Sequence, residues 1–105
     1  MATIHKKTIF ELLQMSGLPC AYSHFKRAIN PPYVVYIGNG QDTFEADNRI
    51  YYGQNTYQIE YYYTEKNETN ESTIESLLTG DGWIYSKSED IYIEDLNCFV
   101  IYYYI

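Results

Sequence analysis

The 105 residues suffice for one domain, spanning 1–105, and can bury roughly 65% of their unfolded surface without a disulfide or metal staple. Seven Lys+Arg against 14 Asp+Glu give a net charge of −7. Lys6-Lys7 and Lys26-Arg27 are the only cationic pairs, too few for a phosphate-gripping patch, so tight nucleic-acid binding is excluded. The longest apolar run, Cys98 to Ile105, is too short to cross a bilayer, and Met1 to Phe10 lacks the apolar run of a signal peptide. The expectation is a soluble protein made in a cytoplasm, with no membrane contact.

In chain order, Ile9, Leu12 and Leu13 form a helical stripe that predicts a first helix over residues 4–16. Thr3 is a candidate N-cap, Thr8 with Glu11 an internal capping box, and Gly17 with Pro19 the stop. Cys20 to Phe25 reads as a short extended piece. Asn30-Pro31-Pro32 is a stiff polyproline turn leading into Tyr33-Val34-Val35-Tyr36-Ile37, a strand apolar on both faces and therefore central. Gly38-Asn39-Gly40 is expected to end that strand, with a polar loop from Gln41 to Asn48. Arg49 to Tyr52 reads as a strand, Gly53-Gln54-Asn55 as a turn, and Thr56 to Thr64 as the strand that pairs back.

That last strand has the clearest pattern in the chain. Tyr57, Ile59, Tyr61 and Tyr63 point one way; Gln58, Glu60, Tyr62 and Thr64 point the other. The period then changes. Ile74, Leu77 and Leu78 predict a second helix over 71–79, with Ser72 and Glu75 as its capping box and Gly80-Asp81-Gly82 as its stop. Trp83 to Lys87 is a predicted strand, Ser88-Glu89-Asp90 a break or bulge, Ile91 to Ile93 a resumed strand, Glu94 to Asn97 a turn. Cys98 to Ile105 is the final strand, apolar at every position and expected to be buried on both faces. The fold class is α+β: a mostly antiparallel sheet with two helices packed on one face.

Tyrosine is the compositional outlier, 14 residues against 4 Phe and 1 Trp. One explanation is that a sheet-rich chain favours Tyr for its fit to a pleated surface. The other is that an apolar ring with a polar tip suits a surface that docks. Two short helical stripes cover only one sheet face, and an open aromatic face is larger than monomers ordinarily leave uncovered. Tyr51, Tyr62, Tyr102 and Tyr104 are the candidate interface residues, and self-association or a protein partner is expected.

Catalytic chemistry is not written in the sequence. His24 beside two aromatics reads as a packed or surface histidine, and His5 is a weaker candidate still. Cys20 and Cys98 lack metal or redox spacing and read as buried free thiols. Asp42, Glu45 and Asp47 lack the glycine and terminal glutamate of a calcium loop. Gly38-Asn39-Gly40 lacks the third glycine of a phosphate-binding turn. Asn67-Glu68-Thr69 and Asn70-Glu71-Ser72 match glycosylation sequons but read as helix-start chemistry. No enzyme activity, cofactor or metal is expected.

Several segments carry a resemblance. These are Gly17-Leu18-Pro19-x-Ala21-Tyr22-x-His24-Phe25, Pro31-Pro32-Tyr33-Val34-Val35-Tyr36, Ala46-Asp47-Asn48, Tyr57 to Tyr62 followed by Glu65-Lys66, and Tyr85-x-Lys87-Ser88-Glu89 with Tyr92-Ile93-Glu94. Over nearly the whole chain their order and spacing resemble small head–tail module proteins of tailed phages and prophages of Gram-positive bacteria. The tail terminator, or head–tail joining protein, is the most similar functional class. The resemblance implies a sheet with helices on one side and a six-membered ring that stops the tail tube and docks it to the head. Its partners would be further copies of itself, the major tail tube protein and head connector proteins. Its place would be the host cytoplasm during assembly and then the virion neck. This chain departs from the pattern in its excess of Tyr, above all at Tyr102-Tyr103-Tyr104.

Six copies of a −7 chain carry about −42, enough for a carboxylate-lined lumen past which DNA slides. Asp42, Glu45, Asp47, Glu65, Glu68 and Glu71, expected in loops, are the candidates to line it or to face a partner. The alternative function is a small acidic prophage adaptor or inhibitor that binds a host protein; one that mimics DNA charge would do so with salt-sensitive affinity.

Overall fold

The structure is a computed structural model describing residues 5–46 and 49–105, with the side chains of residues 42–54 outside the description. The elements run α1 (Ile9–Gln14), β1 (Cys20–Tyr22), β2 (Tyr33–Ala46), β3 (Arg49–Tyr63), α2 (Glu68–Gly80), β4 (Ser86–Lys87), β5 (Ile91–Ile93), a 3-10 turn (Glu94–Leu96) and β6 (Cys98–Tyr104). The strands form one sheet in the order β1-β2-β3-β6-β4, and β5 pairs with β6 further along the same edge as β4. Among the described residues only the β1–β2 pairing is parallel. The α+β class and the mostly antiparallel sheet match the pattern in the sequence.

α1 is shorter than its stripe suggests, because the capping box marks its true start. The Thr8 hydroxyl accepts from the Glu11 amide, and the Glu11 carboxylate accepts from the Thr8 amide at 2.9 Å. Thr3 lies outside the described residues. Gly17 follows the helix with φ +82, the left-handed turn that glycine enters without a Cβ penalty. α2 begins earlier than its apolar stripe. Asn67, not Ser72, is the cap, its side-chain oxygen accepting from the Thr69 and Asn70 amides.

The main correction concerns the central hairpin. Gly38-Asn39-Gly40 does not end β2, and Gln41–Ala46 is strand rather than loop. The register shifts between Gly38 and Gln41, and Gly40 takes φ +88, so the glycines build a bulge that lets pairing continue. Gly53-Gln54-Asn55 likewise lies inside β3 instead of forming a turn. The hairpin is therefore β2 with β3. Only its base is flanked: β1 pairs with Cα positions 34–36, and β6 with 58–63. Tyr57 adds two backbone hydrogen bonds to Ile105, and beyond it, among the described residues, the two strands pair only with each other, as an arm. The molecule measures 50 × 27 × 26 Å with a radius of gyration of 15.1 Å, against roughly 13 Å for a compact chain of this length.

At the other edge, Trp83–Tyr85 is not strand. Trp83 turns in to close the core, Ile84 is 91% exposed, and pairing starts only at Ser86. The break at residues 88–90 is as the sequence suggests: the Ser88 amide donates to the Tyr102 carbonyl while its hydroxyl accepts from the Tyr102 amide. The Pro31–Pro32 bond that precedes β2 is cis.

Both helices pack on one face of the sheet. Leu12 and Leu13 of α1 and Ile74 and Leu78 of α2 meet Val34, Ile59, Tyr61, Ile101 and Tyr103 in a single core. Full burial of side chains of this size contributes roughly 1.5–3 kcal/mol each. The alternation of Tyr57 to Tyr63 is the reason: its odd-numbered residues form the helix-side face. β6 is not buried evenly on both faces. Val100, Ile101 and Tyr103 are buried, whereas Tyr102 is half-buried and Tyr104 exposed.

Between α2 and the sheet lies an ionic cluster. Glu71 is 3% exposed, with Lys66 Nζ 2.8 Å and Lys87 Nζ 2.9 Å from its two oxygens. Lys87 also contacts Glu75 at 2.7 Å, and Glu75 accepts from the hydroxyls of Tyr103 (2.7 Å) and Tyr85 (3.3 Å). Lys66 reaches Asp90 at 3.1 Å. Burial would raise the Glu75 carboxyl, but its bonds to Lys87 and Tyr103 hold it below the ordinary value. The Tyr63 hydroxyl and Lys66 hold Asp90 low. Glu71 is therefore an internal ion-pair partner, not a loop residue facing a lumen.

The chain near the N-terminus is tied to the end of α2. His5 stacks on Trp83 at 3.6 Å and donates from Nδ1 to the Asp81 carbonyl at 2.7 Å. The Asp81 carboxylate accepts from the Lys6 and Lys7 amides at 3.1 and 3.4 Å.

Candidate functional site: the helix-free tyrosine face

The face opposite the helices is built by register. In β2 it takes Tyr33, Val35 and Ile37; in β3, Tyr62, Glu60 and Gln58; in β6, Val100, Tyr102 and Tyr104. Cross-strand pairing aligns them as rows: Tyr33 with Tyr62 and Val100, Val35 with Glu60 and Tyr102, Ile37 with Gln58 and Tyr104. Three of the four tyrosines singled out from the sequence, Tyr62, Tyr102 and Tyr104, thus share one face. Tyr51, the fourth, has its side chain outside the description.

The rings are ordered against each other. Tyr33 and Tyr62 stack at 5.0 Å, and Tyr102 and Tyr104 at 6.2 Å. Glu60 sits among them, accepting from the Tyr62 hydroxyl at 2.7 Å and from the Gln58 amide at 2.9 Å. Burial, reinforced by the bond to Glu60, pushes the Tyr62 hydroxyl far up, so it stays a neutral donor at any working pH. Tyr104 is 42% exposed and Ile37 37%. The face is therefore amphipathic and partly open, with a fixed donor–acceptor pattern at its centre.

At the Tyr33–Tyr62 end the chain between β1 and β2 crosses this face and forms a cleft of about 420 Å³. Phe25 packs edge-on to Tyr33 at 5.3 Å, and Val35, Tyr62 and Leu96 complete the apolar walls. His24, Lys26 and Arg27 also line it. His24 is exposed, its Nδ1 3.2 Å from the Ser23 hydroxyl.

The acidic candidates are dispersed. Asp42 and Glu45 lie in β2, not in a loop, and Asp47 is outside the described residues. Glu65 is exposed in the bend after β3, and Glu68 is the first residue of α2, where its charge complements the helix dipole. These placements correct the loop expectation for Asp42, Glu45, Glu68 and Glu71. The contribution of Tyr33 and Ile37 to the face was missed, although the alternation of β2 carries that signal. The cleft is a tertiary product of residues 23–29 folding over the sheet, and no local pattern announces it.

Among the described residues, no three or more His, Cys, Asp or Glu side chains gather as a metal site, and no helix is long and apolar enough to cross a membrane. Both thiols, Cys20 half-buried and Cys98 buried, are free and pushed up by burial. Comparison with protein-family models and with curated proteins found no match.

Proposed function

We propose that this chain is a non-catalytic structural protein of a phage or prophage, a tail terminator or head–tail joining protein that forms a ring at the end of the tail tube. The observation that carries the reading is the helix-free face, where Tyr33, Tyr62, Tyr102 and Tyr104 stand in two stacked pairs around Glu60. Tyrosine with a polar anchor is the composition of an interface core. The resemblance to head–tail module proteins supplies the assembly, and a head-to-tail ring is the closed form such contacts take. Further copies, tail tube protein and connector proteins are the partners proposed, and the virion neck is the site of action.

The test is solution mass by light scattering after size exclusion, over a concentration series, followed by binding to the tail tube protein of the same phage module. A discrete species near six times 12.4 kDa that binds the tube supports the reading. A strict monomer with no affinity for tube protein, and with salt-sensitive capture of a host DNA-binding enzyme, overturns it in favour of the acidic inhibitor.

A further inference from the structure

We infer that the cleft holding Lys26 and Arg27 is the receptor for the β2–β3 arm of a second copy of this chain. The inference rests on the self-assembly reading above and names the contact that would drive it. The cleft is an electrostatic outlier. On a protein with 14 Asp+Glu and a net charge of −7, it is lined, among the described residues, by two permanent cations and by no carboxylate. Lys66 and Lys87 are consumed by the α2 cluster, whereas Lys26 and Arg27 stand exposed at this mouth. Behind them the walls are Phe25, Tyr33, Val35 and Tyr62, and the volume is of ligand-pocket size, roughly 300–1,000 Å³. The occupant called for is an aromatic or apolar group flanked by negative charge.

The same chain offers such a segment. From Gln41 to Ala46 the sequence is Gln-Asp-Thr-Phe-Glu-Ala: one phenylalanine between two carboxylates, with no cation. This segment is the outer half of β2, in the arm that leaves the sheet. Among the described residues its backbone is flanked by β3 alone, and a two-stranded ribbon gains stability by docking. It does not serve its own cleft. Tyr33, at the cleft, and Phe44 are eleven residues apart along β2, roughly 36 Å of strand. Arm and cleft are different surfaces, so the contact is head-to-tail and propagates until rotation closes it. Two cations are too few to grip a nucleic acid backbone, which favours a short acidic protein segment over a strand of DNA or RNA.

The experiment is a charge-reversal exchange read by light scattering and analytical ultracentrifugation. Lys26→Glu/Arg27→Glu and Asp42→Lys/Glu45→Lys each place like charges across the contact. Each alone should weaken self-association at least about tenfold. Far-UV circular dichroism checks that both variants remain folded; Lys26 and Arg27 are exposed, so the pocket variant has no packing to lose. Mixing the two variants, or joining all four changes in one chain, should restore association. Wild-type assembly undiminished in either charge variant, or lost in both without recovery on mixing, overturns this contact and leaves self-assembly standing. A wild-type protein that is monomeric at every concentration overturns both. An oligonucleotide that binds wild type and not the Lys26→Glu/Arg27→Glu variant, while that variant self-associates like wild type, overturns this contact and reassigns the cleft to nucleic acid.

Discussion

Replacing Lys87 with Met tests the ionic cluster beneath α2. Lys87 serves two carboxylates, at 2.9 Å for Glu71 and 2.7 Å for Glu75. Removing one partner of a fully buried pair costs roughly 3–5 kcal/mol, because the remaining charge is stranded. Here the cost is smaller. Lys66 still faces Glu71 at 2.8 Å, and Glu75 keeps the Tyr103 and Tyr85 hydroxyls. The Lys87 side chain is also 35% exposed, so solvent screens part of the interaction. The expected loss is about 2 kcal/mol, or a fall in Tm of roughly 10 °C for a domain of this size. Glu71→Gln should cost less, about 1 kcal/mol, since it leaves two partly solvated lysines instead of a buried anion. The double variant should then fall close to Glu71→Gln alone. Urea denaturation of the two single variants and the double variant measures the coupling. A Lys87→Met variant within about 0.5 kcal/mol of wild type, or strict additivity in the double, would refute the view that Lys87 neutralises a buried carboxylate.

Glu75 and Asp90 have lowered carboxyl values, so their contribution is fully present above their ordinary values of 4.5 and 3.8 and is lost as pH falls through the lower folded ones. Acid unfolding followed by circular dichroism should therefore begin below about pH 4, and Glu75→Gln should flatten that limb. On the alkaline side, burial raises Tyr62, Tyr63 and Tyr103 above 10.0, which makes stability fall as pH climbs past that value; their tyrosinate absorbance should appear only with unfolding. Tyr104→Ser should change monomer stability by under about 0.5 kcal/mol, because the ring is exposed, yet weaken self-association in light scattering. Thr8→Ala removes the side-chain half of the α1 capping box and should cost about 1 kcal/mol in urea denaturation.

Much of the sheet was legible because a strand with one buried face writes that face at period two. Tyr57 to Tyr63 did so, and three of the four tyrosines singled out for an interface, Tyr62, Tyr102 and Tyr104, lie on one face. Glycine was the misleading residue. Gly38 and Gly40 look like punctuation, but a bulge uses the same conformational freedom as a stop, and only cross-strand pairing tells them apart. The polar residues from Gln41 to Ala46 point the same wrong way, since an arm that leaves the helix-covered part of the sheet has no core to write an apolar pattern. α2 reads short for a related reason: its first turn carries no stripe residue, so the apolar pattern points to Ser72 instead of the cap at Asn67. The cluster of Lys66, Glu71, Glu75 and Lys87 could not be read, because Lys87 meets α2 only after a turn and a new strand have brought it back.

The tie between the two ends of the fold gives this protein a built-in optical probe. Trp83 is its sole tryptophan, and its indole lies flat against His5. Neighbouring amides at Lys6 and Lys7 are held by Asp81, so the ring reports on a segment some 75 positions away in sequence. Peeling of the leading segment would unstack the indole and change its emission while α2 and the sheet stay intact. Intrinsic fluorescence and far-UV dichroism would then diverge during unfolding, and the gap between the two curves would measure how independently that segment comes loose.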